Sequence, residues 1–128
     1  MILRKYMSLL GIGSAKIDLV LNKETYAPGE PVHGHFLIKG GTIDQQLKRI
    51  DCDLIAIDNN GSEKVINSKT ILSSARIISE EMNQISFAFQ LPDSVPASTD
   101  GLTYRFHTKL AFNEGASSRD EDAIQIIN

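Results

Sequence analysis

The sequence predicts an all-β protein, a sandwich of two β-sheets, and three observations carry that expectation. Turn signals recur at short intervals from Gly13 onward, the runs between them alternate apolar and polar residues, and no long window sustains helical periodicity. Residues 102–112, LTYRFHTKLAF, show the alternation most cleanly. Leu102, Tyr104, Phe106, Leu110 and Phe112 take one face, and Thr103, Arg105, His107 and Lys109 take the other.

The elements follow in order. AKIDLVLN sets Ile17, Leu19 and Leu21 against Asp18, Val20 and Asn22. In YAPGEPVHGHFLIKGG, Pro28 and Gly29 fill the centre of a type II turn from Ala27 to Glu30, where proline presets φ and glycine supplies the positive φ. The strand after it points Val32, Gly34, Phe36 and Ile38 inward and His33, His35, Leu37 and Lys39 outward, and Gly40 and Gly41 stop it. Gly34 inside a strand marks a bulge or a close approach of another backbone. LKRIDCDLIAID places Ile50, Cys52, Leu54 and Ala56 on one face and Arg49, Asp51, Asp53, Ile55 and Ile57 on the other. DNNGSE, with Asn60 and Gly61 at its centre, is a hairpin turn, and KVINSKTIL returns. SSARIISEE fits a short strand or a loop. NQISFAFQLP aligns Ile85, Phe87, Phe89 and Leu91 before Pro92 breaks the run. PDSVPASTDG is a turn-rich connection, LTYRFHTKLAF follows it, NEGASSRDED is a polar run, and AIQIIN makes a last short strand.

Length and composition bound the function. A chain of 128 residues fits one domain able to bury a core without disulfides or metals. The single cysteine, Cys52, cannot pair within the chain, which suits a reducing, cytoplasmic setting. A formal charge of −3 with scattered basic residues leaves no stripe to neutralise phosphates, so nucleic acid is not an expected partner. Nor does any apolar run reach the roughly 18 residues of a membrane span.

The first residues form a segment of their own, 1–12, ahead of a β-sandwich domain at 13–128. Arg4 and Lys5 follow the first apolar residues, an order that does not suit a signal peptide. Read as a short helix, Ile2, Leu3, Tyr6, Met7 and Leu10 make one apolar stripe. Docking on the domain or on a partner is the expectation, because so short a helix is marginal in water. Weak contact with a membrane surface is the alternative.

Side chains that could carry chemistry give no constellation. His33 and His35 share a strand face, but two ligands do not make a metal site and His107 lies on a distant strand. Cys52 reads as a small core residue without an activating base. GIGS and KGGT lack the lysine-serine ending of a phosphate loop and suit the ends of strands, and no serine sits in a GxSxG elbow. The acidic trio Asp120, Glu121 and Asp122 lacks the spaced ligands of a calcium loop and reads as a solvated turn. No catalytic residue, cofactor or metal is expected.

The assembled motifs resemble the amino-terminal half of an arrestin-like protein, most closely the bacterial sporulation-control family known as stage 0 protein M. The resemblance rests on GIGSAKIDLVLNKETYAPGEPVHGHFLIKGG, on FAFQLPDSVPAS followed by YRFHTKLAF, and on the acidic run ahead of AIQII. It implies an immunoglobulin-like, arrestin-like β-sandwich that acts as a protein-binding adaptor without catalysis, in sporulation control. Such proteins have two lobes in tandem, and this chain stops about where the second would begin. No basic phosphate-sensing residue of animal arrestins has a match here.

The remaining candidates are edges and outward apolar residues. Val20, Leu37, Ile55 and Ile57 fall on nominally outer faces, where the N-terminal segment would cover them or a partner would use them. Open sheets also leave edge strands able to accept another strand. The expectation is an adaptor with an unidentified protein partner and a homodimeric state. A self-assembling structural lobe at the membrane surface is the alternative.

Overall fold

The computed structural model describes residues 13–113 and 117–128. Within them run β1 (Lys16–Leu21), β2 (Thr25–Tyr26), β3 (Pro31–Lys39), β4 (Gln45–Asp58), β5 (Glu63–Leu72), β6 (Arg76–Ile77), β7 (Met82–Gln90), β8 (Leu102–Phe112) and β9 (Ser117–Ile126), and no helix is found among the described residues. The expected N-terminal helix falls at positions 1–12, outside the described residues.

Two sheets form. The smaller has the order β1-β3-β7, antiparallel throughout. The larger runs β2-β9-β8-β4-β5, with β6 paired to the start of β4. All its pairings are antiparallel except β2 with β9, where Thr25 and Tyr26 lie beside Gln125 and Ile126. This two-residue strand has no periodicity to announce it, being too short to show any.

Alternation places the core as expected. Ile17, Leu19, Val32, Phe36 and Ile38 of the small sheet, with Phe87 and Phe89, meet Ile50, Cys52, Leu54, Tyr104, Phe106 and Leu110 of the large one. Four aromatic rings interlock the layers. Phe87 packs edge-on against Phe36 at 5.1 Å and against Phe106 at 5.6 Å, and Phe89 meets Phe106 at 5.1 Å. These are favoured edge-to-face geometries, so the contacts orient the sheets as well as bury area.

The punctuation in residues 26–41 has structural causes. Gly29 has φ +78° and the Glu30 amide donates to the Ala27 carbonyl at 3.1 Å, which closes the turn. The turn is held to the end of β7 by Gly29 N–H to the Pro92 carbonyl (3.1 Å) and Leu91 N–H to the Glu30 carbonyl (3.2 Å). Gly34 pairs with Leu21 of β1 and Phe87 of β7, so it sits mid-sheet between two strands.

Buried polar groups pin the connections. Gln45 is 1% exposed; its Oε1 accepts the Ala15 amide at 2.8 Å while its Nε2 donates to Ser14 Oγ at 3.2 Å, tying the approach to β1 to the start of β4. The long connection after β7 is fastened by Tyr104 OH donating to the Pro96 carbonyl (2.7 Å) and by Ser98, whose amide donates to the Ile126 carbonyl (2.8 Å). Satisfied in this way, such groups specify where a loop lies rather than penalising burial.

The last strand also departs from expectation. It begins at Ser117, so the acidic trio Asp120, Glu121 and Asp122 lies within β9 and is not a turn. Pairing with the strongly alternating β8 overrides the low strand propensity of aspartate, because every position from Ser117 to Ile124 has a partner there.

Candidate functional site

The four outward apolar residues do not form one surface. Val20 and Leu37 are half-buried on the outer face of the small sheet, while Ile55 and Ile57 belong to β4 in the large sheet, on the opposite side of the molecule. Ile55 is only 7% exposed, so it offers little surface of its own. Its cross-strand neighbours are Arg105 and Val65, and Arg105 ion-pairs with Glu63, the neighbour of Ile57, at 3.1 Å. The Arg105–Glu63 pair therefore reaches across β4 between the two isoleucines. Arg105 also meets Glu121 at 3.2 Å, and Glu121 meets His107 Nδ1 at 3.0 Å, so this face carries a chain of polar contacts. The apolar stripe Ile2, Leu3, Tyr6, Met7 and Leu10 lies outside the described residues.

Other apolar groups are exposed at strand positions that local sequence does not distinguish. Val65 is 54% exposed and Leu72 80%, both on β5, and Met82 at the start of β7 is 60% exposed. Among the described residues β5 pairs only with β4, so its other edge, ten residues long, has no partner strand there. Across the same flank the small sheet ends in β7, and the Lys69 ammonium of β5 donates to the Ala88 carbonyl of β7. Free edges follow from strand order, which local sequence does not encode.

The opposite flank is built differently. Here β1 and β9 lie next to each other without a backbone ladder, and β9 side chains serve the free amides of β1. Ile17 N–H donates to Ser118 Oγ at 3.2 Å and Leu19 N–H to Asp120 Oδ2 at 2.8 Å. Asp122 follows on the same face of β9, and Asp18, Asp120 and Asp122 each place an oxygen within 4.8 Å of the others. Burial, then hydrogen bonding to Asp120, then the charges of Asp120 and Asp18 push the Asp122 carboxyl up to about 7. Asp18 is raised by burial and by Asp120, with the His35 charge opposing. Carboxylates so close suit a shared proton. Alternation backward from Ile126 and Ile124 gives Asp122, Asp120 and Ser118 on one face, a signal that the run of charge masks.

The remaining chemistry-bearing residues stay apart. His33 and His35 lie on β3 opposite Ala88 and Ser86, whereas His107 is on β8 of the other sheet. Cys52 is buried with its Sγ 3.5 Å from Thr108 Oγ1, and burial pushes the thiol up to about 12. In KGGT, the Thr42 amide donates to the Gly13 carbonyl at 2.8 Å, which makes that glycine-rich stretch a strand end. A shallow groove of about 460 Å³ lies beside β2, with Glu24, Thr25, Ser98, Asp100 and Gln125 in its lining.

Comparison with known proteins assigns the chain. The family model described as SpoOM protein matches residues 3–128. The chain belongs to the Spo0M family. The sporulation-control protein Spo0M of Bacillus subtilis (strain 168) is 34% identical, with 94% of this chain and 50% of that protein covered. The crystal structure of B. subtilis Spo0M superposes with a TM-score of 0.81 at 32% identity, covering 91% of this chain and 51% of that one. The chain thus spans about half the length of the Spo0M proteins it matches. A Pseudomonas fluorescens alkylpurine DNA glycosylase, AlkC, bound to DNA with an abasic-site analogue, shares the fold alone: TM-score 0.57 at 12% identity, over 97% of this chain and 33% of that one.

Proposed function

We propose that this chain is a non-catalytic regulatory domain of sporulation control, an arrestin-like, immunoglobulin-like β-sandwich that works in the cytoplasm through protein contacts. The observation that carries the reading is the match to Spo0M, which runs from residue 3 to residue 128 and extends to the three-dimensional structure. The side chains agree with it. Cys52 is buried and held as a thiol, and its hydrogen-bond neighbour is Thr108 rather than a histidine.

The contact surface we assign is the outer edge of β5, which has no partner strand among the described residues and carries exposed Val65 and Leu72. Such an edge accepts a strand from another chain through main-chain hydrogen bonds, with side-chain pockets adding selectivity. A homodimer formed there is one expected outcome. Light scattering over a wide concentration range distinguishes a dimer from a monomer awaiting a different partner.

The functional test replaces the matching half of B. subtilis Spo0M with this chain in a strain lacking its own Spo0M, and scores spore formation. A second chimera carries Val65→Lys and Leu72→Lys, which leave the core intact and charge the edge. The unmodified chimera should restore sporulation control and the charged one should not. Equal performance by both would sink the edge assignment, and failure of the unmodified chimera would sink the regulatory reading.

A further inference from the structure

The flank between β1 and β9 joins the two sheets through side chains alone. Ser118 and Asp120 accept the amides of Ile17 and Leu19, and Asp122 stands next on that face with its Oδ2 shielded from solvent and without a hydrogen-bond partner. We propose that this flank is a proton-held latch: a proton shared between Asp122 and Asp120 keeps β9 against the free edge of β1, and its loss as pH rises loosens β1 from β9.

The chemistry follows from the geometry. Asp120 must stay an acceptor toward the Leu19 amide, so the proton belongs on Asp122, whose hydroxyl then donates to Asp120. Ionising Asp122 as well would set two carboxylates side by side with Asp18 within 4.8 Å, and like charges so close resist joint ionisation. Groups facing the pair offer little relief. Asp18 on β1 adds negative charge, and His35 on β3 acts on Asp18 in the opposite direction. Lys16 shares the Asp18 side of β1 and is exposed. Opposite Asp122 and Asp120 on β8 stand Phe106 and Thr108, both uncharged, and beyond them Cys52 on β4 remains a thiol. Arg105 and Lys109 of β8, with Arg119 and Glu121 of β9, occupy the other face of the large sheet.

The sign is fixed by linkage. A carboxyl raised to about 7 in the folded protein holds its proton where the unfolded chain has already released it. Its stabilisation is therefore complete below the ordinary aspartate range and is lost as pH rises from there to about 7, with no further loss above. Asp18, also raised, acts in the same direction.

The test is amide hydrogen exchange at Leu19, corrected for the intrinsic pH dependence of exchange, in the full chain between about pH 5.5 and about pH 8.5. Protection at Leu19 should fall roughly tenfold across that window while amides between β4 and β8 hold theirs. Asp122→Asn, whose amide donates to Asp120 at every pH, should keep Leu19 protected throughout. Asp18→Asn, at an exposed position, should move the transition to lower pH. Constant protection in the unmodified chain, or an Asp122→Asn variant that still loses protection with pH, overturns the latch. Calcium chloride restoring the lost protection at high pH would make the flank a cation site and overturn it equally.

Discussion

Gly34 and Val20 approach so closely that a β-carbon on Gly34 would lie 2.2 Å from the Val20 carbonyl oxygen. The obstacle is backbone in the paired strand β1, fixed by the register that sets Gly34 beside Leu21, so it cannot swing away. Gly34→Ala should therefore lower stability by about 1–3 kcal/mol, the usual range for overpacking. Denaturant midpoints measure it, and a neutral result would show that β1 can shift along this register.

Gly29 tests a different constraint, because its φ of +78° is disfavoured for any side chain and worst for a β-branched one. Gly29→Val should cost about 1–3 kcal/mol through backbone strain. A β-carbon on Gly29 would also crowd Asp93 Oδ1, but that oxygen is the end of a side chain and can move aside. Asp93→Ala in the same background should leave most of the loss in place if strain is the cause.

Phe87 touches three other phenylalanine rings, including Phe106 of the facing sheet. Phe87→Ala should cost about 3–5 kcal/mol, enough to threaten a domain whose whole stability is about 5–15 kcal/mol. His33→Ala, exposed on β3, should stay within about 0.5 kcal/mol. Thermal melts of the two variants compared with the parent decide whether the small sheet buries the face assigned to it.

Cys52 should resist thiol reagents in the folded protein, since the reactive thiolate is suppressed by burial and the sulfur is covered. Labelling by a chromogenic disulfide at mildly alkaline pH should be slow in buffer and fast in denaturant. Fast labelling without denaturant would mean that the region around Thr108 opens readily.

Local sequence was enough for the all-β class, most strand positions, the Pro28–Gly29 turn and the inward faces. Each depends on contacts or torsions within a few residues: period-two alternation puts Phe36, Phe87 and Phe106 inward wherever the strands lie. Which strands became neighbours was settled by long-range packing alone, and the candidate site depended on that. Asp120 reads locally as a solvated charge, yet pairing with β8 and proximity to β1 turn it into the acceptor for the Leu19 amide, 101 residues away. Ile55 reads as outward and is so, but an ion pair between two flanking strands covers it. Charge is a local property of a side chain, whereas the partner that makes its burial tolerable comes from wherever the fold brings another strand.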